Sequence, residues 1–326
     1  MLDSDSPAQV LLVLTAGSAL KYAASAWLAH KCKEEFRQVG KVAALYLYPV
    51  KSCKGIRVKH GRLTSLGLEY NGAVDRHWVV ATKDGTWVTQ RQEPKMALIK
   101  TSIVGDTLRL DAPDMQTIHL PLNPKVDPKH IKPVTIKTDT VDSLDCGDEV
   151  ASWMDKFLNR VGLRLHFSAP SIEKRDSSKA VKPWNHAAKG GDMTAFTDYC
   201  QYMVMSEASL TEVNKKLDAP AGIANFRPNI VVEDCPPYTE DYIKRMKIGK
   251  ATFRTLDSCT RCVLVTVDPA TGIKDKDEQP LKALKTFRLR EPYLEKPCLG
   301  MNMAVDTEDE VSVGDLVYAI KGDNPL

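Results

Sequence analysis

The 326-residue chain has no G-x-G-x-x-G run, so nothing in it announces a nicotinamide or flavin dinucleotide site. No second C-x-x-C and no pair of histidines at zinc-finger spacing completes the single pair Cys259–Cys262, which leaves a structural zinc site without half its ligands. The eight cysteines follow no framework spacing, and free thiols in a reducing compartment fit better than a disulfide scaffold. An excess of positive charge is missing too. The 45 Lys and Arg stand against 42 Asp and Glu, and a net charge of +3 gives no reason to expect a nucleic-acid partner. There is no internal repeat and no low-complexity tract. His60, His77, His119, His130, His166 and His186 show no paired metal spacing. With 43% hydrophobic and 27% charged residues the composition is globular, and the length suits one large or two ordinary domains.

What is present centres on residues 255–269. A polar turn carrying Cys259, Thr260, Arg261 and Cys262 runs into the β-branched residues 263–267, which read as a strand. Arg261 beside Cys262 favours the thiolate, the form that attacks or binds metal. Half a zinc site, a redox dithiol and one soft ligand for a heavier metal compete here, with two inert buried thiols as the plain alternative. A thioredoxin-like pair belongs where a strand opens a helix, and this one precedes a strand.

In chain order, residues 10–29 are the most apolar stretch, and twenty helical residues span ~30 Å, one hydrocarbon core. Lys21 interrupts it at a tolerable cost. Asp3 and Asp5 precede it and Lys31 and Lys33 follow, so a signal anchor in residues 1–33 leaves the bulk of the chain cytosolic. The early acids and missing arginines argue against a transit peptide; a cleaved secretory signal and a peripheral amphipathic helix are the other readings. Short strands are expected at 42–48, 97–104, 108–110 and 117–120, with 78–82 and 86–90 as a hairpin about Lys83-Asp84-Gly85. Such spacing is barrel-like. Asp148 opens a helix with Val150, Trp153, Met154, Phe157, Leu158 and Val161 on one face. Residues 171–191 read as a loop and domain boundary. Strands at 202–205, 230–232, 263–267 and 317–320 follow, with Ser206 capping a helix that carries Leu210, Val213 and Leu217. The fold class is α+β, predominantly β: a barrel-like domain over 34–170 and a second barrel with peripheral helices over 171–326.

The sequence Tyr48-Pro49-Val50-Lys51-Ser52-Cys53-Lys54-Gly55, then Leu68, Asp75-Arg76, Trp78, Arg91-Gln92-Glu93-Pro94, Asn225-Phe226-Arg227-Pro228-Asn229 and Cys259-Thr260-Arg261-Cys262, resembles in order and spacing the MOSC-domain molybdenum enzymes, in particular the amidoxime-reducing components of mitochondria. The resemblance implies a molybdenum–molybdopterin cofactor with Cys262 as metal ligand and catalytic residue, and Cys259 in a packing role. It also implies reduction of amidoximes, hydroxylamines and N-hydroxyguanidines, fed by NADH through cytochrome b5 reductase and cytochrome b5, on the mitochondrial outer membrane. The alternatives are a cofactor carrier and a sulfurase-type MOSC protein; the sulfurase lyase domain has no room in this chain.

Such a cofactor needs phosphate and pterin contacts. Lys51 and Ser52 suit the phosphate, a point charge beside a hydroxyl; outside the family they read as a surface turn. Arg76 offers a guanidinium fork, or else a surface ion pair with Asp75. Arg227 is held between Phe226 and Pro228, and Asn229 offers donor and acceptor to a pterin. Arg261 belongs to the ligand turn. At Asp198, Tyr199 and Cys200 the family has contacts through small hydroxyl residues; here backbone contacts would survive the change of side chain.

Overall fold

The computed structural model describes residues 35–323 apart from Leu294. The apolar stretch at 10–29 lies outside the described residues. Among those that are described, no helix is long and apolar enough to cross a membrane.

Arg37–Leu47 (β1), Tyr202–Ser206, Ile230–Glu233, Ile243–Ile248, Ala251–Thr260, Cys298–Thr307 and Leu316–Lys321 make a closed seven-stranded barrel. We number the strands used below in chain order: β1; Trp78–Thr82 (β2); Leu163–Phe167 (β3); Tyr202–Ser206 (β4); Ile230–Glu233 (β5); Ile243–Ile248 (β6); Ala251–Thr260 (β7); Cys298–Thr307 (β8); Leu316–Lys321 (β9). Around the barrel the order is β5, β4, β8, β7, β6, β9, β1, and β1 closes back onto β5. Only the β4–β5 pairing is parallel. Alternation puts Leu45, Val204, Ile230, Met246, Phe253, Met303 and Val317 into one core, where apolar side chains leave water and the closed ring leaves no sheet edge bare.

β2 and β3 pair inside a four-stranded sheet completed by Ile131–Ile136 and Asp139–Asp145. Pairings run across residue 170 in both directions: β1 joins the barrel of the later strands, and Asp309–Ser312 joins His60–Thr64. Arg37–Leu326 clusters as one compact unit.

The helix at Asp148–Leu158 (α1) buries Val150, Trp153, Met154 and Leu158 as its period requires. It stops at Asn159, left-handed at φ 51°, so Val161, expected on its face, lies past the turn and is 93% exposed. Ser206 accepts a hydrogen bond from the Ser209 amide and caps the helix Glu207–Asn214 (α2); Leu217 falls beyond its end.

Three expected strands differ. Residues 86–90 turn back on β2 through Thr82 N–Thr86 O and Val88 N–Val80 O, but they make only isolated bridges before the chain leaves toward Arg91. The first two residues of 97–104 belong to a 3-10 turn at Pro94–Leu98, which leaves Lys100–Val104 as the strand. The residues after Cys262 form a 3-10 turn, Val263–Thr266, and the true strand is β7, which carries Cys259 and ends at Thr260. The reason is local: the Asn225 amide donates to the carbonyls of Val265 (3.0 Å) and Val267 (3.2 Å), so no neighbouring strand claims them.

Candidate functional site

The ends of β1 and β7, the entries to β2 and β5 and the loop before β4 meet around a cavity of about 430 Å³. Lys51, Ser52, Arg76, Asp198, Tyr199, Cys200, Arg227, Asn229, Arg261 and Cys262, the ten residues singled out from sequence, all line it.

The first wall is cationic and is built by a buried carboxylate. Asp75 is fully buried and accepts from the Tyr48 amide at 2.8 Å and from the Arg76 guanidinium, which ties the end of β1 to the approach of β2. Arg76 and Arg227 both sit over the Tyr48 ring, at 4.8 and 4.3 Å from its centre. Arg227 is left-handed (φ 57°), a conformation forced by the short helix Ile223–Phe226 ending directly before β5. Its Nη2 is buried without a hydrogen-bond partner among the described residues, an uncommon and costly state for a guanidinium. Burial pulls Arg227 down to about 10, with the Arg76 charge adding to it. An anion placed here would answer that unpaired donor.

Lys51 stands on the same side, 95% buried, paired with Asp198 and 4.8 Å from the centre of the Trp87 ring. Burial pulls its ammonium down to about 7, against the attraction of Asp198. Partial burial opposes charge on the Asp198 carboxyl, but Lys51 and Arg91 outweigh it and hold the group well below its ordinary range. Lys51 is charged below about 7 and neutral above. Anion binding by the cofactor-free protein is therefore expected to weaken as pH rises through that value. Sulfate, whose charge does not change here, should lose on the order of tenfold in affinity between about pH 6 and about pH 9 in calorimetric titration. Lys51→Met should flatten the profile. Stability moves the other way: an unfolded lysine keeps its proton up to about 10.5, so this group favours the folded chain increasingly as pH rises from about 7.

The second wall carries sulfur. Arg261 was expected to be the cation beside Cys262, and the structure corrects this. Its Nε donates to Leu299 O at 2.8 Å and its Nη1 to Phe226 O at 2.9 Å, so the guanidinium braces β8 against the helix before Arg227. Gly300 makes room for it: at φ 80°, a Cβ there would lie 2.8 Å from Val204 O and 3.2 Å from Arg261 Nη2. The cation at the thiol is Arg91, whose Nε donates to Cys262 Sγ at 3.4 Å while its Nη2 holds Asp198 at 3.1 Å. Arg91 was not singled out as a site residue; its place in the Arg91-Gln92-Glu93-Pro94 motif was the available signal. Cys259 is pushed up by burial and packs with the cluster that contains Met203 and Phe226.

Three expected contacts have their side chains otherwise engaged. Asn229, 1% exposed, accepts from Arg76 Nη1 (3.3 Å) and the Met203 amide (3.2 Å) and donates to Tyr46 O (3.2 Å). It joins β1, β4 and β5 and props Arg76. Cys200 donates to Tyr202 O at 3.0 Å and is pushed up to about 12 by burial. Tyr199 carries the Lys182 ammonium 3.2 Å from its ring centre. Lys182, Pro183 and Trp184, from the stretch read as a boundary loop, also line the cavity. Asp257 anchors them, accepting from Lys182, from Trp184 Nε1 at 2.8 Å and from Asn302 Nδ2 at 2.8 Å.

Among the described residues no group of three or more His, Cys, Asp and Glu converges on a metal position. One thiol with an arginine at its sulfur suits a soft metal whose other ligands arrive with a cofactor, and the unpaired Arg227 donor and buried Lys51 suit that cofactor's anionic end.

Two family models match the chain: the MOSC N-terminal beta barrel domain over residues 39–161 and the MOSC domain over residues 191–318. Among curated proteins, mitochondrial amidoxime-reducing component 1 of Mus musculus is 36% identical over 293 residues, 88% of this chain and 84% of its own. The Xenopus laevis component 1 is 35% identical over 294 residues, with 88% and 84% covered. Mitochondrial amidoxime reducing component 2 of Homo sapiens is 36% identical over 291 residues, with 88% and 85% covered.

Proposed function

Since the chain belongs to the MOSC-domain family, we propose that it is a molybdenum-cofactor-dependent reductase of N-hydroxylated compounds: amidoximes, hydroxylamines and N-hydroxyguanidines. The observation that carries this reading is the pairing, within one cavity, of the Cys262 thiol with a wall of buried cations whose Arg227 Nη2 has no partner. A redox-inert binding module has no use for a soft ligand at that position; an oxygen-removing site does.

Lys51, Ser52 and the Arg76–Arg227 pair would hold the phosphate and pterin, and Cys262 would be the metal's protein ligand. The molybdenum cofactor, when bound, supplies the two-electron couple for removing oxygen. Arg91 holds the sulfur in place and draws charge from it, and Asp198 fixes both Arg91 and Lys51. In the net reaction the N–O bond breaks, two electrons and two protons are consumed, and the oxygen leaves as water. Following the family resemblance, we assign electron delivery to cytochrome b5 and its NADH-dependent reductase; the absence of a dinucleotide fingerprint is compatible with an external donor. We place the protein on the mitochondrial outer membrane, held by residues 10–29 with its catalytic face to the cytosol. The relatives' mitochondrial names and the charge asymmetry about that stretch support this.

The test is reduction of benzamidoxime by the purified holoenzyme with an artificial one-electron donor. The expected result is one benzamidine per two electrons. Tightly bound molybdenum and pterin without turnover would make the protein a cofactor carrier instead.

A further inference from the structure

Trp184 is a wall shared by two cavities. On one side lies the cysteine-bearing cavity; on the other is an open groove of about 740 Å³ whose far side is formed by Leu289, Pro292 and Tyr293. We propose that this groove is the subsite for the organic body of the substrate, a planar apolar group such as an aryl ring, while the N–OH group enters the neighbouring cavity. The proposal rests on the reductase reading and names the part of the substrate that reading leaves open.

Three observations carry it. The first is rigidity. The Trp184 indole donates to Asp257, a carboxylate with 1% of its side chain exposed, and meets the Tyr293 ring edge-on at 5.1 Å and 76°. A half-buried aromatic fixed at both its polar end and its edge is a preorganised surface for a second ring. The second is uncovered apolar surface in the right place. Leu289 in the groove is 46% exposed, and Val181, which lines the adjoining cavity next to Lys182, is 84% exposed. Apolar side chains left open to water beside a polar cavity mark where an apolar ligand takes the place of water. The third is adjacency: Pro183, Trp184 and Lys296 border both cavities, which sets the groove directly beside the cavity that carries Cys262. The exposed Lys296, with its ammonium 5.4 Å from the indole centre, stands at the rim that the two cavities share.

The experiment compares benzamidoxime, which has a ring, with hydroxylamine, which has none, using holoenzyme and an artificial donor. Trp184→Ala should raise KM for benzamidoxime by about tenfold and leave kcat nearly unchanged, because an aromatic contact of this size adds binding energy away from the reacting atoms. The rise in KM for hydroxylamine should be several-fold smaller than that for benzamidoxime. Trp184→Phe keeps the ring but loses the bond to Asp257, and should restore most of the benzamidoxime affinity. The Kd of benzamidoxime for the oxidised holoenzyme without donor, read by calorimetry, should move with KM. An unchanged KM for benzamidoxime, an equal loss for both substrates, or a Trp184→Phe as impaired as Trp184→Ala would overturn the subsite. Failure of the wild-type holoenzyme to reduce either substrate would overturn the parent reading, and the subsite with it.

Discussion

Cys262→Ala is expected to abolish reduction of N-hydroxylated substrates, while Cys259→Ala keeps most of it. The two thiols are three positions apart and chemically unlike. Cys262 receives a hydrogen bond from Arg91 at the cavity wall. Cys259 is held up by burial, so it stays a neutral thiol among apolar neighbours. Losing a thiolate ligand changes both the reduction potential and the geometry of a bound metal. The expected fall in turnover exceeds the roughly hundredfold typical of losing a mere supporting contact. The cations that would hold the cofactor's other end are untouched by the substitution, so pterin content should survive in Cys262→Ala. Removing the Cys259 sulfur costs about 1 kcal/mol of packing, too little to unfold the protein. Molybdenum content and turnover with an artificial donor, measured on both variants, decide the matter. A zinc or dithiol site predicts equal damage, and equal loss would remove Cys262 from its place as sole protein ligand.

Asn229→Ala is expected to cost about 3 kcal/mol of stability, although the residue lines the cavity. Its amide is the buried junction of three strands. Truncation strands the Met203 amide and the Tyr46 carbonyl in a dry interior, and each unsatisfied group costs about 1–3 kcal/mol. Arg76 loses one of its props at the same time. A drop in Tm on the order of 10 °C in thermal unfolding is the expected readout. Asn229→Asp keeps both acceptor contacts and should fall less. If Asn229→Ala left Tm unchanged and lost only the cofactor, the side chain would be a ligand contact rather than a junction.

Lys51, Arg227 and Cys262 were singled out by their order in the family motifs, and the structure brings all three to one cavity. Strand β1 and the Ser206 cap were readable because period and capping are local. Residues 263–267 were misread for a physical reason: β-branched residues favour a strand only if a partner strand takes their carbonyls, and here a distant asparagine side chain takes two of them. Arg261 and Arg91 exchanged parts for a similar reason. Adjacency in sequence put a guanidinium next to Cys262, but Leu299 and Phe226 offered Arg261 better acceptors, and a loop more than 170 positions away supplied the cation. Trp184 lay in a stretch with no regular period, so only the fold revealed it as a wall.

β1 is the first strand described and β9 the last, yet they lie side by side, with Arg37 opposite Ala319 and Lys41 opposite Leu316. A nascent chain whose β9 is still inside the ribosome has already made every residue of the cavity and cannot yet close the barrel around it. Contacts this distant in sequence form late. The walls of the cavity are therefore held together only once β9 is in place, and a product cut short before Leu316 leaves the barrel beside them open.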